Sequence, residues 1–271
     1  MVATHSRQPD IAAWHPSVPG VSEVFHAHFT DHAYPMHAHD TWALLIVDDG
    51  AVRYDLDRHE RGALQNLVTL LPPHVPHNGR SATSGGFRKR VIYLDADQID
   101  QDLIGLAVDD PSFVDPVLRA RIDAVHQTLM HPGDEFEAES RLALISERLR
   151  WHLQAQPELV EWRRDSSTAY RMMDLLIDRT VDGLSLQDAS DILHCHPTHL
   201  VRAFSGAFGM APHQYLTSRR VDLARRLLLD GVPQTEAAIG AGFYDQSHMT
   251  RHFKRILGTN PGRFATSQLR A

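Results

Sequence analysis

Two groups of residues in this chain could do chemistry. The first is the run from Asp245 to Arg255, where Ser247, Arg251 and Lys254 fall on one side at helical spacing, with His248 and Arg255 beside them. Met249, Phe253, Ile256 and Leu257 recur at i, i+4, i+7 and i+8, so the spacing predicts a helix with one apolar stripe to bury. Asp245 suits its N-cap, Gly258 its C-cap, and Pro261 stops it resuming. A helix buried on one side, with hydroxyl, amide and guanidinium groups on the other, suits the major groove of DNA. There arginine can bond guanine, and glutamine adenine, through paired hydrogen bonds. Lys254 and Arg255, farther along, suit phosphates, which position a protein without specifying sequence. The second group is histidine. His37 and His39 share a strand face, and with His77 they could bring three imidazoles round a metal or line a pocket. The chain has 19 histidines, so chance clustering weighs against this, and His26, His28 and His32 are read as ordinary structural or surface residues.

The first group occurs twice. At an offset of 49 residues, His199, Arg202, Phe204, Gly209 and Pro212 recur as His248, Arg251, Phe253, Gly258 and Pro261, and Tyr215 and Phe264 form an aromatic pair. Two copies are too few for a solenoid and imply a duplicated unit with one polar helix face per copy. Helices must position them. Ala169, Met172, Met173 and Leu176 begin one, and Ser185 to Asp188 is a capping-box variant opening another. Pro197 suits the start of the first copy, Val221 to Leu229 makes a long amphipathic helix, and Gln234 to Ala241 a short one.

Upstream the pattern differs. Val21 to Leu94 reads as short strands: Val24, His26 and His28 alternate with Phe25, Ala27 and Phe29, and Thr41–Val47, Ala51–Leu56, Leu67–Leu71 and Val91–Leu94 follow. Asp48-Asp49-Gly50 is a hairpin signal between two of them. From Asp97 to Gln156 the period is helical. Val114, Leu118, Ile122, Val125 and Leu129 form one stripe, Asp134 can cap the next helix, and Leu142, Ile145 and Leu149 continue. These helices would pack on the β region or pair with those of a second subunit. Pro157–Ser167 is the best linker. Residues 195–271 hold ten Lys and Arg against four Asp and Glu, a balance of +6 that leaves −13 on the other 194 residues; such asymmetry points to a nucleic-acid-binding end. No apolar run is long enough for a membrane span, and the start of the chain has no signal-peptide pattern. The one cysteine, Cys195, reads as a small buried hydrophobe in a reducing compartment.

From about Ser167 to Phe264 the chain resembles the DNA-binding domain of AraC/XylS-type transcription regulators. Arg220-Val221-x-x-Ala224-x-x-x-Leu228, Ala237-Ala238, Gly242-Phe243, Asp245-Gln246-Ser247-His248, Arg251-x-Phe253-Lys254-Arg255 and Gly258-x-x-Pro261 carry the likeness. The resemblance implies two helix-turn-helix units, each placing its second helix in the major groove. It would set Gln246, Ser247, Thr250 and Arg251 at base edges or nearby backbone, and by the repeat Thr198, His199, Val201 and Arg202. The first unit departs from the pattern: His196 stands at a usual Ser or Thr cap, Ser190 at a small Ala, and Gly206 inside the reading helix costs about 1 kcal/mol against Ala. The expectation is a weaker grip through Arg202 than through Arg251. Pro35-Met36-His37-Ala38-His39 and Pro72 to Asn78 resemble the two cupin histidine motifs, which implies an effector pocket lined by His37, His39, His74 and His77. The carboxylate that metal cupins place after the second histidine is missing; Ala43 and Leu44 stand there.

The expected molecule is an α+β multidomain protein: a cupin-like β-sandwich or barrel over 1–95, a helical linker and dimerisation region over 96–165, and an all-α AraC-type DNA-binding domain over 166–271. Its helix-turn-helix motifs fall at about 185–206 and 233–255. The expected function is sequence-specific DNA binding controlled by a small-molecule effector, in a cytoplasmic homodimer with no cofactor, no membrane association and no enzymatic activity, and with RNA polymerase as partner if it activates. Two alternatives stand beside it: a metal-dependent cupin enzyme fused to a DNA-binding tail, or a constitutive regulator with a vestigial cupin.

Overall fold

The computed structural model describes residues 10–30, 33–57, 59–154, 166–257 and 259–267. The Pro157–Ser167 linker falls almost wholly outside them, as do His32 and the Gly258 cap. The chain divides into two compact units. One takes the residues through 127 with 145–154; the other takes 128–144 with the residues from 166 onward. The division runs through the 96–165 segment.

The first unit holds β1 (Asp10–Trp14), β2 (Val21–Phe29), β3 (Ala33–His37), β4 (Trp42–Gly50), β5 (Val52–Leu56), β6 (His59–Ala63), β7 (Val68–Leu71), β8 (His77–Ser81), β9 (Phe87–Leu94) and β10 (Ser112–Phe113). It also holds α1 (Ile104–Asp109) and most of α2 (Pro116–Leu129). Two antiparallel sheets form, in the orders β1-β2-β9-β4-β7-β10 and β3-β8-β5-β6. Alternation along β4 explains its unbroken burial. Ala43, Leu45 and Val47 join Val52, Tyr54 and Leu56 in a core cluster, while Trp42, Leu44 and Ile46 are fully buried on the opposite face. On that side α2 is tied to the sheet by Arg90, which meets Asp48 and Asp123 at 2.7 Å each, and by a 3.1 Å His26–His126 contact. Leu118, Ile122, Val125 and Leu129 are buried as expected, but Val114 precedes the helix and is exposed.

The hairpin expectation at Asp48-Asp49-Gly50 is corrected. Gly50 does adopt positive φ, at +73°. Yet β4 pairs with β7 and β9, and β5 with β6 and β8, so the chain crosses here between sheets. Gly50 is required by close approach as well as φ, since a Cβ there would lie 2.2 Å from the Gly86 carbonyl oxygen.

The second unit holds α4 (Ser166–Asp178), α5 (Leu186–Leu193), α6 (Pro197–Phe208), α7 (Pro212–Leu229), α8 (Gln234–Gly240), α9 (Gln246–Leu257) and α10 (Pro261–Ser267). It also takes residues 135–144 of α3 (Glu135–Gln154). The caps follow the sequence. Ser185 and Asp188 close a capping box on α5, Pro197 opens α6, and Asp245 accepts from the His248 amide at 2.6 Å. His196 substitutes for the missing hydroxyl, its Nδ1 accepting from the Thr198 amide at 3.3 Å. The Ser190 hydroxyl donates to the Cys195 carbonyl at 2.6 Å and so holds the turn. Cys195 is partly buried against the helical core that includes Leu193, Leu200 and Phe204.

The repeat is visible in packing. One core gathers Phe204 and Leu216 with α4 and α5, a second gathers Ala237, Ala238, Met249 and Phe253, and α7 enters both, through Leu216 and through Val221, Ala224 and Leu228. Each copy builds the same aromatic corner: Phe204 meets Tyr215 at 5.6 Å, and Phe253 meets Phe264 at 5.4 Å, both edge to face.

Candidate functional site

The expected stripe on α9 is turned from its expected place. Met249 and Phe253 are fully buried, but Ile256 and Leu257 are exposed, and His248 and His252 are buried instead. What draws the imidazoles inward is a carboxylate 114 positions away. Asp134 does not cap α3 with its side chain; its Oδ1 lies 3.0 Å from His248 Nε2 and 2.8 Å from His252 Nε2, and its Oδ2 accepts from Arg251.

The protons in this cluster can be assigned. The Tyr244 amide donates to His248 Nδ1 at 3.2 Å, and Arg255 donates to His252 Nδ1 at 2.9 Å. Each Nδ1 is thus an acceptor, so each Nε2 carries hydrogen and donates to Asp134. Asp134, His248 and His252 bring their ligand atoms within 4.8 Å of one another, a spacing that would suit a metal. The hydrogen bonds oppose that use: a metal needs both Nε2 lone pairs, and the Arg251 guanidinium already occupies the carboxylate. The cluster is a closed salt-bridged network. Burial alone would raise the Asp134 carboxyl, but the two imidazole hydrogen bonds and the Arg251 charge hold it well below the usual carboxylate range. Burial lowers His252, against the raising effect of Asp134.

The same segment, 128–144, braces the first reading unit. Glu139 accepts from the Leu186 amide at the start of α5 at 2.5 Å, and Thr198 donates to the Ala143 carbonyl at 3.3 Å. Phe136 lies in the core with Leu186, Val201 and Phe204. Gly133, at φ +92°, sits so close to α9 that a Cβ would lie 2.2 Å from His248 Nδ1.

The sequence-assigned DNA residues therefore divide. Gln246 and Ser247 are exposed, Gln246 bonding Thr235 at 2.9 Å; Lys254 and Arg255 are also exposed; His199, Arg202 and Thr250 are half-buried on the same helices. Thr198 and Val201, assigned to DNA by the repeat, are buried at 3% and 1% exposed, Thr198 with its hydroxyl on the Ala143 carbonyl. Arg251 is held by Asp134. Sequence reasoning gives Asp134 only a capping role, because a partnership across 114 positions leaves no local spacing to read.

In the first unit the histidines gather as expected, with one exception. Ring centroids lie 4.5 Å apart for His37–His77, 4.7 Å for His39–His77 and 6.3 Å for His37–His39. Each Nδ1 donates to a backbone carbonyl two residues away: His37 to Pro35 at 2.9 Å, His39 to Thr41 at 2.7 Å and His77 to Val75 at 3.0 Å. Every Nε2 is left as a lone-pair acceptor. Burial lowers His39, and pushes His77 down to about 4. His74 is corrected: it stands outside, exposed, at φ +62° and 3.4 Å from Asp40. The three rings share a cavity of about 60 Å³ with Tyr34, Tyr93 and Lys89, among others. Ala43 lines it where a metal cupin would offer a carboxylate, and Leu44 points into the opposite core.

Comparison with known proteins agrees with both units. A family model described as "AraC-like ligand binding domain" matches residues 19–146, and one described as "Helix-turn-helix domain" matches residues 189–267. The chain is 28% identical over 223 residues to the "Uncharacterized HTH-type transcriptional regulator YbfI" of Bacillus subtilis, covering 80% of this chain and 81% of that one. It is 27% identical over 106 residues to the "Multiple antibiotic resistance protein MarA" of Escherichia coli, covering 39% and 84%. Among solved structures, the "AraC-like transcriptional activator CuxR" covers 80% of each chain at 13% identity with a TM-score of 0.43, too low a likeness to argue from. Among the described residues no helix is long and apolar enough to cross a membrane. With a cupin-like ligand-binding domain ahead of a duplicated helix-turn-helix domain, the chain belongs to the AraC-type family of DNA-binding transcription regulators.

Proposed function

We propose that this regulator reads DNA chiefly through Gln246, Ser247, Thr250 and Arg251 of α9, with Lys254 and Arg255 on phosphates, and less through His199 and Arg202 of α6. A small molecule in the His37, His39 and His77 cavity decides how freely it does so. It acts as a cytoplasmic homodimer without enzymatic activity; the missing carboxylate at Ala43 and Leu44 speaks against the metal-enzyme alternative. RNA polymerase joins the complex if the outcome is activation.

The observation that carries control is the Asp134–Arg251 ion pair. Asp134 holds the Nη2 amino group of Arg251, so DNA must compete with Asp134 for that edge of the guanidinium. An effector shifts that competition only if it binds the held and released arrangements unequally. Residues 128–144, which carry Asp134, continue through α3 into the ligand-binding unit and are the covalent route for the signal.

The test uses the full-length chain and duplexes it selects from a random-sequence pool, at fixed salt because phosphate contacts make affinity salt-dependent. Arg251→Ala should weaken binding at least tenfold, since a paired arginine–guanine contact is worth about 1–3 kcal/mol. Arg202→Ala should cost less, and Asp134→Asn should tighten binding severalfold. Unchanged binding by Arg251→Ala would remove α9 as the main reader; weaker binding by Asp134→Asn would sink the restraint.

A further inference from the structure

Among the described residues the charge in the ligand cavity has no counter-ion in its wall. Fourteen of them line it, none is Asp or Glu, and the one amine is Lys89. The Lys89 ammonium rests over the Tyr34 ring at 4.2 Å and the Phe25 ring at 5.6 Å. Burial pushes the amine down to about 8, with no acidic group offsetting it. Cation–π contact returns only part of the hydration an ammonium loses. Asn78, the cavity's amide, is turned to Asp55: its Nδ2 donates to the carboxylate at 2.6 Å and its Oδ1 accepts from the Asp55 amide at 2.8 Å. The remaining polar wall is the hydroxyl groups of Tyr34, Tyr54 and Tyr93 and three imidazoles that give their Nδ1 hydrogens to backbone carbonyls and leave Nε2 as acceptors. They welcome hydroxyl or N–H donors and offer an anion nothing that repels it. Leu45, Val52, Leu71 and Val91 make the rest apolar. One water needs roughly 10–15 Å³ of such space, so about 60 Å³ admits a compact molecule and not a long chain.

Resting on the reading of this cavity as the effector site, we propose that the effector is a small organic acid whose carboxylate pairs with Lys89 and whose hydroxyl donates to the His37, His39 and His77 group. The ligand supplies the missing counter-ion. A neutral polyol would satisfy the imidazoles and leave the ammonium desolvated and unpaired, which ranks it below an acid of equal size.

Calorimetry on the full-length chain tests this with lactate, 3-hydroxybutyrate, benzoate and 4-hydroxybenzoate, each beside its amide, and with glucose and arabinose as neutral controls. At least one acid should bind, at least tenfold more tightly than its amide, and Lys89→Met should abolish that preference. Removing a buried unpaired charge should leave the unliganded melting temperature of Lys89→Met equal or higher, so loss of binding cannot be laid to misfolding. Lys89→Arg, which keeps the charge, should retain the preference for acid over amide. Amides or sugars binding as well as the acids, an undiminished preference in Lys89→Met, or no acid binding at all overturns the proposal. The binding readout contains no DNA. An acid that binds through Lys89 yet leaves duplex affinity unchanged leaves the ligand class standing and defeats effector control.

Discussion

At the scale of single residues, two buried carboxylates on residues 134–139 behave oppositely. Asp134 is held ionised, its carboxyl depressed, so its contribution is complete above the usual carboxylate pKa and is lost only when pH falls well below that range. The hold on Arg251 is therefore not a proton switch near neutrality. Glu139 is pushed up from the usual 4.5 to about 7, by burial first and by Asp188 and Glu135 next, against the amide bonds of Leu186 and Gln187. A raised acid favours the folded state while protonated, so stability declines as pH rises from about 4.5 through about 7 and is fully reduced above it. Glu139→Gln keeps an acceptor for Leu186 and removes the ionisation. Its melting temperature should match the parent at pH 5 and exceed it at pH 8. Buried histidines such as His213, pushed down to about 4, weight the parent curve the other way, so the difference between variant and parent is the quantity to measure. A constant difference across that span would show that Glu139 does not titrate there.

At the scale of elements, α6 and α9 are the same design in different states of repair. Gly209 ends α6 in the left-handed region, at φ +70°, where glycine is at home. Gly206 lies within the helix, and a Cβ there would meet nothing within 4 Å. Gly206→Ala should then raise stability by about 0.5–1 kcal/mol, through helix propensity and a less mobile unfolded chain, read as a higher denaturant midpoint at constant slope. A lower midpoint would mean that the glycine answers a need not visible in the packing. These helices are largely legible in the sequence, because caps, prolines and the 49-residue offset are local signals. The strands are legible as segments and not as a topology. Gly50 announces a turn but cannot say that the chain is changing sheets. β1, β6, β8 and β10 carry too little alternation to be read, and β3 ends at His37, so the strand face expected for His37 and His39 stops short of His39; β3 and β8 still bring His37 and His77 into one register pair. The apolar stripe of α9 misleads because two histidines, polar by type, are buried by one distant carboxylate.

At the scale of the whole molecule, the chain keeps its surplus of positive charge in residues 195–271 and the balance of −13 elsewhere. Asp134 comes from the acidic part and takes its place on the basic one. Under the proposed reading of DNA by Arg251, that carboxylate occupies the place of a phosphate or a guanine edge, a stand-in for the target. How closely the stand-in seats depends on Gly133, which lets the backbone touch His248. Gly133→Ala puts a methyl group where His248 Nδ1 lies and strains a residue at φ +92°. It should lower the melting temperature and raise duplex affinity together; lowered affinity with lowered stability would show that the segment supports the reading head and does not mask it. Under the proposed effector control, the contact distance at Gly133 sets a threshold: natural variation at position 133, or a chemist's single added carbon, would tune how much ligand is needed to release Arg251.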